Sequence, residues 1–125
     1  MNIVPTTTGA ASAIGLVILA LKGKLDGISL RVPTPTVSVV DLVANLKKSA
    51  TREEINAALE NAANNGLRGI LSFCNKPLVS SDFRGDSASS IELEGKMAKV
   101  IAWYDNEWGY CCRVGDLAAL IAERA

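Results

Sequence analysis

Two prolines, Pro33 and Pro35, lie two residues apart in the first third of the chain and constrain its fold more than any other feature. Because a proline lacks a backbone N–H and fixes its own φ, this segment is incompatible with a helix and interrupts strand pairing. On either side, residues 27–32 and 37–46 alternate between apolar and polar side chains, which is typical of strands. The sequence therefore predicts two strands joined by an irregular connection.

Three other segments have the pattern of helices. Residues 8–21 are rich in small and apolar side chains and follow the threonines at 6–8, each of which offers an N-cap hydroxyl. Thr51 stands three residues before Glu54 at the head of an amphipathic stretch, an arrangement that predicts a capping box and a helix closed by the sequence Asn-Asn-Gly. Residues 114–122 are predicted to lie in the final helix.

The remaining apolar runs complete the predicted fold. Residues 69–74 and 77–80 are predicted to form short strands around a turn, and residues 96–103 a further strand, whereas 83–90 is polar enough for a loop. The interleaving of strands and helices, without repeats or linkers, predicts one α+β domain with a mixed, mainly antiparallel sheet and helices on one face.

Charge and cysteine content exclude several classes of function. Thirteen basic and thirteen acidic residues cancel, so no overall field attracts the chain to nucleic acid or to an anionic membrane. Three cysteines without histidine or a Cys-x-x-Cys pair fit neither a disulfide framework nor a zinc site. The apolar run at 14–21 is far shorter than the ~20 residues that cross a bilayer. We therefore expect no metal, no membrane association and a reducing compartment.

Residues 103–110, with the sequence WYDNEWGY, concentrate aromatic side chains in a chain that is 5% aromatic. They lie between a predicted strand and the last predicted helix, where proteins often bind ligands. The carboxamide of Asn106 offers a ligand one acceptor and two donor hydrogens. The alternative is a helix cap made by Asp105 or Asn106, with Glu107 favoured by the helix dipole. From the residues alone, the cap is the better interpretation.

Bulky side chains at such a corner are expected to act as packing residues, here Trp103, Tyr104 and Trp108.

A second candidate site combines a threonine-glycine turn with an arginine. Thr8 and Gly9 offer a hydroxyl and backbone N–H groups at the positive end of a predicted helix, which suits a phosphate. Simple capping of the helix explains the same residues. Arg31, at the end of a predicted strand, could bind phosphate through two parallel hydrogen bonds. The alternative for this arginine is an ion pair with Asp26 or Asp41.

Four blocks of the sequence resemble, in their order and spacing, the glyceraldehyde-3-phosphate dehydrogenase family: residues 2–11, 30–42, 80–83 and 99–114. The resemblance covers essentially the whole chain, and it corresponds to the C-terminal part of the catalytic domain of a family member. It implies a mixed sheet carrying helices on one side. It also implies a part in the NAD(P)-dependent oxidation of glyceraldehyde 3-phosphate to 1,3-bisphosphoglycerate.

The resemblance implies roles for five residues. Thr8 and Gly9 match positions that contact phosphate, and Arg31 matches the arginine that serves the sites for substrate phosphate and inorganic phosphate. Asn106 matches the residue that holds the nicotinamide carboxamide of NAD or NADP, and Tyr110 matches a tyrosine packed close to it. Holding the nicotinamide ring fixes the face that exchanges hydride.

The thiolate and the histidine base of the family's reaction have no counterpart in this sequence. There is no histidine, and Cys74, Cys111 and Cys112 lie outside the family's nucleophile motif. No Gly-x-Gly-x-x-Gly follows a predicted strand, so we expect residues 1–125 to be a partial catalytic domain from which the NAD-binding Rossmann domain is absent. We assign no catalytic residue and expect the chain alone to be inactive.

Two departures from the family bear on its role. Fewer residues than usual lie between 91 and 95, which predicts a shortened strand, and the first helix is more apolar than usual near Leu19 and Ala20. Two alternatives therefore remain: a non-catalytic interaction module that binds an intact subunit of the family, and a decayed gene fragment. The resemblance implies a cytoplasmic location, or a plastid for a longer precursor.

Overall fold

The computed structural model describes residues 1–86 and 97–124, which have an α+β architecture, as predicted. In chain order the described helices and strands are β1 (Val4–Thr7), α1 (Ala10–Val17), β2 (Ile28–Arg31), β3 (Ser38–Asn45), α2 (Arg52–Asn64), β4 (Met97–Tyr104) and α3 (Trp108–Ala122). Short 3₁₀ helices occur at Leu19–Leu21 and Ser80–Phe83. The predicted shortening of a strand near 91–95 lies outside the described residues.

The chain divides into two compact units, Met1–Pro35 and Thr36–Ala125, and the boundary falls at the second of the two prolines. In the first unit, β1 and β2 form an antiparallel pair in which Val4 lies opposite Arg31. The sequence did not predict β1, because its proline and threonines favour turns and caps as much as a strand.

Helix α1 ends earlier than the sequence predicts. It stops at Val17, and Ile18 leaves the helical conformation with φ −109° and ψ 84° before the 3₁₀ helix begins. Gly15 explains the compact bend, because a Cβ at this position would lie 3.2 Å from the Cα of Lys22. The returning chain therefore approaches the helix where a side chain would block it.

In the second unit, β3 and β4 form an antiparallel ladder that joins distant parts of the sequence. Ser38 lies opposite Tyr104 at one end, and Asn45 lies opposite Met97 at the other. Asp41 and Lys99 form an exposed cross-strand ion pair with a 2.9 Å separation of Oδ2 and Nζ. Both strands agree with the sequence prediction, since their β-branched side chains fit a pleated surface.

Helix α2 begins with the predicted capping box. The backbone N–H of Glu54 donates to Thr51 Oγ1 at 3.2 Å, and the backbone N–H of Thr51 donates to Glu54 Oε2 at 2.8 Å. Two N–H groups that the helix cannot satisfy internally thus find partners. The helix ends at Asn64, as expected from the Asn-Asn-Gly sequence.

The predicted strands at 69–74 and 77–80 were wrong. The first segment contains an isolated bridge of Leu71 to Arg68, and the second leads into the 3₁₀ helix. The backbone N–H groups of Ile70 and Leu71 both donate to the carbonyl of Leu67, so local turns satisfy the backbone instead of a neighbouring strand. Short apolar runs are compatible with either outcome.

The described core of the second unit is small. Val37, Ala63, Phe83 and Ala98 are its buried apolar residues. Phe83 stacks on Trp103 with ring centroids 5.7 Å apart and planes 11° from parallel. This contact fixes the 3₁₀ helix against β4, close to the corner that leads into α3. Among the described residues, no helix combines the length and apolar character needed to span a membrane.

Candidate functional site

The turn between β1 and α1 presents Thr8 and Gly9 at the start of the helix. Thr8 Oγ1 accepts a hydrogen bond from the backbone N–H of Ala10 at 3.2 Å, and the carbonyl of Gly9 accepts from Ala13 at 3.0 Å. Gly9 is the N-cap residue, and no side chain caps it. Neither Thr8 nor Gly9 is buried, and an added Cβ on Gly9 would meet nothing within 4 Å. The turn is therefore open enough for an anion to approach the backbone.

Arg31 lies at the far end of the same β1–β2 ladder. It is opposite Val4, whereas Thr8 follows the residue at the other end of β1. Four residues of strand separate the two backbones by about 13 Å along the ladder. The backbone alone therefore does not bring Arg31 to the threonine-glycine turn.

The carboxylates that offered an alternative role for Arg31 have other partners. Asp26 Oδ1 accepts from the backbone N–H of Gly27 at 2.8 Å, and Asp41 is paired with Lys99. Arg31 itself is exposed. An exposed guanidinium keeps its planar set of donors available for a carboxylate or phosphate.

The corner between β4 and α3 is organised by Asp105, a charged residue that is only 5% exposed. Its Oδ1 accepts from the backbone N–H groups of Glu107 and Trp108 at 3.0 and 2.9 Å, and its Oδ2 accepts from Gly85 at 2.9 Å. The carboxylate thus caps the first turn of α3 and ties it to the turn that follows the 3₁₀ helix. The capping role offered for Asp105 by the sequence is confirmed.

These contacts lower the pKa of Asp105 below its ordinary value of 3.8. The backbone N–H of Gly85 contributes most, and that of Trp108 comes next; burial opposes both, and Glu107 and the positive charge of Arg84 add to the lowering. Three donors aimed at the carboxylate favour its charged form. Asp105 is therefore a structural anion, already fully engaged with the backbone.

Asn106, the neighbouring residue, makes a different contact. Its Oδ1 accepts a hydrogen bond from Ser38 Oγ at 3.2 Å. The β3–β4 register explains this approach, because Ser38 lies opposite Tyr104, two residues before Asn106. The side chain is exposed, so its amide can also contact a ligand.

The aromatic residues of the corner differ in their packing. Trp103 stacks on Phe83, in agreement with its expected packing role. Trp108 is 53% exposed and Tyr104 is 37% exposed, so both pack only in part. Tyr110, in the first turns of α3, is 70% exposed. It lies on the same helix end as Asn106 but is not held against it by a hydrogen bond among the described residues.

The three cysteines are free thiols. Cys111 is exposed within α3, whereas Cys74 and Cys112 are half-buried, and Cys74 Sγ accepts a weak bond from the backbone N–H of Lys76 at 3.5 Å. Within residues 1–86 and 97–124, no group of three or more potential ligands is placed to hold a metal ion.

The described residues have an α+β architecture with two polar clusters, one with the chemistry to meet an anion and one with the chemistry to meet a carboxamide. The chain belongs to the glyceraldehyde-3-phosphate dehydrogenase family, because the model of that family's C-terminal domain matches residues 1–106. The resemblance drawn from the four sequence blocks is thereby confirmed.

Individual relatives agree with this assignment. The chain is 56% identical, over 98% of its length, to a glyceraldehyde-3-phosphate dehydrogenase of Geobacillus stearothermophilus. It is 55% identical to glyceraldehyde-3-phosphate dehydrogenase 2 of Synechocystis and 56% identical to the chloroplastic glyceraldehyde-3-phosphate dehydrogenase B of Pisum sativum. The chain spans 39% of the length of each of the two bacterial relatives and 29% of the pea protein.

Two features of the site were missed by reasoning from the sequence. One is Ser38. The alternating pattern of residues 37–46 indicated a strand at this position but not the contact of Ser38 with Asn106. The other is Gly85, whose N–H reaches Asp105 across 20 positions of sequence. The contact of Ser38 depends on the pairing of β3 with β4, and the contact of Gly85 depends on the placement of the 3₁₀ helix. No local pattern specifies either feature.

Proposed function

We propose that this chain is the C-terminal portion of the catalytic domain of an NAD(P)-dependent, phosphorylating glyceraldehyde-3-phosphate dehydrogenase. The main support is the Asn106 carboxamide, which is exposed beside a helix start in a chain that is 56% identical to an enzyme of this name. In this proposal, the nucleophilic thiolate, the histidine base and the dinucleotide-binding fold belong to a part of the protein outside these 125 residues.

The phosphate contacts come from Thr8, Gly9 and Arg31. The open turn before α1 offers backbone N–H groups at the positive end of the helix, and Arg31 adds a full positive charge. These groups suit the phosphate of glyceraldehyde 3-phosphate and the inorganic phosphate that the reaction consumes. Their role is to bind and orient, because the sequence supplies no nucleophile with a base beside it.

The cofactor contacts come from Asn106 and Tyr110. The Asn106 amide fits the carboxamide of a nicotinamide, since each group offers both a donor and an acceptor. The exposed ring of Tyr110 lies one helical turn further along the chain. NAD or NADP supplies the hydride acceptor, and these residues select the orientation of its nicotinamide ring.

A chimera tests this proposal. The chain would replace the matching C-terminal segment of the Geobacillus stearothermophilus relative, which would supply the remaining parts. We expect NAD-dependent oxidation of glyceraldehyde 3-phosphate, and we expect Arg31→Ala to raise the KM for phosphate by about 10- to 100-fold, the loss of a charge-assisted contact. Arg68→Ala, a second exposed arginine, is the matched control. An active chimera indifferent to both Arg31→Ala and Asn106→Ala would contradict the proposed site.

The 125-residue chain alone is expected to show no turnover. Purified chain would be assayed for NAD reduction with glyceraldehyde 3-phosphate and inorganic phosphate. Clear activity that disappears in the Arg31→Ala variant would refute the assignment of the catalytic groups to another part of the protein. The proposed location is the cytoplasm, or a plastid if a longer precursor carries the chain there.

A second candidate function is a non-catalytic module that binds another subunit of the same family. The observation that favours it is the apolar character of both faces of the β3–β4 ladder, where Val39 and Val43 on one face and Val40 and Leu42 on the other are all exposed. Exposed apolar surface of this kind marks interaction sites. Size-exclusion chromatography of the chain mixed with the full-length Geobacillus relative would test it, with Val40→Asp expected to abolish co-migration. Independent migration of the two proteins would count against it.

A further inference from the structure

The residue directly before Ser38, at the start of β3, has an unusual backbone conformation. Val37 has a φ of +71°, in the left-handed region, and it is 5% exposed. A β-branched side chain rarely adopts this conformation, because its Cβ crowds the backbone. Such strain persists where the surroundings hold it, and it often occurs at functional sites.

The strained residue sets the direction in which β3 begins. Ser38 follows Val37 directly and is the first residue of the ladder with β4. Because side chains alternate between the two faces of a strand, the backbone angle at Val37 and the pairing with Tyr104 together determine where the Ser38 hydroxyl points. In this structure it points at Asn106.

The hydroxyl also determines which end of the Asn106 amide is left for a ligand. Ser38 donates to Oδ1, so the oxygen end of the carboxamide is the one held by the protein. Among residues 1–86 and 97–124, Nδ2 has no hydrogen-bond partner, so its two hydrogens are available to an acceptor supplied from outside. A carbonyl oxygen of a ligand carboxamide meets that requirement.

We propose that Ser38, held by the strained backbone at Val37, is a positioning residue that fixes the Asn106 carboxamide with Nδ2 presented as donor to the nicotinamide carbonyl. The inference about the ligand rests on the proposed function, whereas the inference about the side chain rests on the contact itself. Asp105 holds the backbone of the corner through its three N–H contacts. Ser38 therefore acts on the side chain of Asn106 and leaves the cap of α3 to Asp105.

The first test needs no ligand. In the isotope-labelled 125-residue chain, three-bond couplings to Cγ report whether χ1 of Asn106 occupies one rotamer. We expect one rotamer in the native chain and in Ser38→Thr, which keeps the donor, and averaging in Ser38→Ala. Ser72→Ala, at an exposed serine outside the regular elements, is the matched control. Unchanged couplings in Ser38→Ala would overturn the proposal.

The backbone amide signals of the corner show whether Ser38 positions only the Asn106 side chain or supports the structure of the whole corner. The amide signals of Glu107 and Trp108 report the Asp105 cap and should stay in place in Ser38→Ala. If that variant fails to fold, Ser38→Cys, which keeps the shape but donates weakly, gives the same test. Movement of the Asp105 cap together with Asn106 would mean that Ser38 supports the corner as a whole, which would also overturn the proposal.

The second test uses the chimera and separates this inference from the proposed function. We expect Ser38→Ala to raise the KM for NAD by about 2- to 10-fold, the loss of one hydrogen bond, while Ser38→Thr stays near the parent. If Asn106→Ala has no effect on that KM, the proposed cofactor contact fails, whatever the rotamer result. If Asn106→Ala weakens NAD binding and Ser38→Ala does not, the contact stands and the positioning role is overturned.

The strain at Val37 has its own signature. At a positive φ, glycine is favoured over alanine, so the unfolding midpoint of Val37→Gly should exceed that of Val37→Ala despite the smaller side chain. At Val39, inside β3, the order should reverse. If the glycine and alanine variants had the same order of unfolding midpoints at both positions, the strained backbone at Val37 would have no part in the proposal.

Discussion

Helices α1 and α3 are separated from the preceding strand by two and three residues, respectively, but the chain satisfies their first turns in opposite ways. At α1, the Thr8 hydroxyl accepts from one backbone N–H in an exposed turn. At α3, the buried carboxylate of Asp105 accepts from the backbone N–H groups of Glu107 and Trp108, and also from that of Gly85 outside the helix. The positive end of α3 is therefore neutralised by an anion of the chain itself, whereas that of α1 remains available to an anion from solution.

This difference assigns different chemistry to the two junctions. An open helix start selects for negative charge, as expected of a phosphate contact. A helix start that is already capped offers little to a phosphate, so recognition there falls to side chains such as that of Asn106. The same local topology, a strand followed by a helix, thus supports two kinds of ligand group.

Removing the internal anion should have the largest effect. Asp105→Ala leaves three part-buried N–H groups without their acceptor, and we expect it to lower the urea midpoint of the Thr36–Ala125 unit more than any other variant proposed. Asp116→Ala is the control, because this exposed carboxylate pairs with Arg113 in a solvated i,i+3 contact and should change the unfolding free energy by less than about 0.5 kcal/mol. If the two variants lowered the stability equally, Asp105 would not be an internal anion that distinguishes the start of α3 from that of α1.

Acid should distinguish the junctions next. Because the pKa of Asp105 is lowered in the folded chain, its stabilising contribution is complete above the ordinary value of 3.8 and is lost as the pH falls through the lower folded value. Relative to the intrinsic exchange rate, the protection of the Gly85 and Trp108 amides should therefore fall below pH 3.8, while that of the Ala13 amide, which donates to a carbonyl, should stay unchanged. Loss of protection at both helix starts in step would contradict this assignment.

Inorganic phosphate should affect the start of α1 and leave the start of α3 unchanged. Titration of the chain with inorganic phosphate should shift the amide signals at the start of α1 and leave those of Glu107 and Trp108 unchanged. We expect Thr8→Val, which keeps the shape and removes the hydroxyl, to weaken this response by about 2- to 10-fold. A response at α3 instead would reverse the proposed division of ligands.

Gly9→Ala should have the smallest effect on stability. Gly9 has φ −86° and open space where a Cβ would lie, so alanine should change the unfolding free energy by less than about 0.5 kcal/mol. Chemical denaturation measures this change. A larger loss would mean that the turn before α1 is closely packed and is not open to solvent around Gly9.

Local patterns predicted much of the fold. The capping box of Thr51 and Glu54, the irregular connection at Pro33 and Pro35 and the β3 and β4 strands each depend on residues close together in sequence, and each was found. The strands at 69–74 and 77–80 were wrong because an apolar run does not reveal whether its backbone bonds to a neighbouring strand or to a local turn.

The candidate sites show the same limit. Sequence and family resemblance identified Thr8, Gly9, Arg31, Asn106 and Tyr110 as candidates, and their roles remain proposals. Neither source could indicate that Asp105 reaches Gly85 or that Ser38 reaches Asn106, because these contacts arise from strand register and from the position of the 3₁₀ helix. Contacts across a ladder require the ladder to be known.

The pairing of β3 with β4 can be measured in solution by amide hydrogen exchange. In an antiparallel pair, successive N–H groups of each strand point alternately toward and away from the partner strand. In the described part of the chain this sheet has two strands, so amide exchange along β3 should alternate between slow and fast with a period of two residues. A slip of one residue would invert that alternation, and the exchange pattern therefore measures the register that places Ser38 beside Asn106.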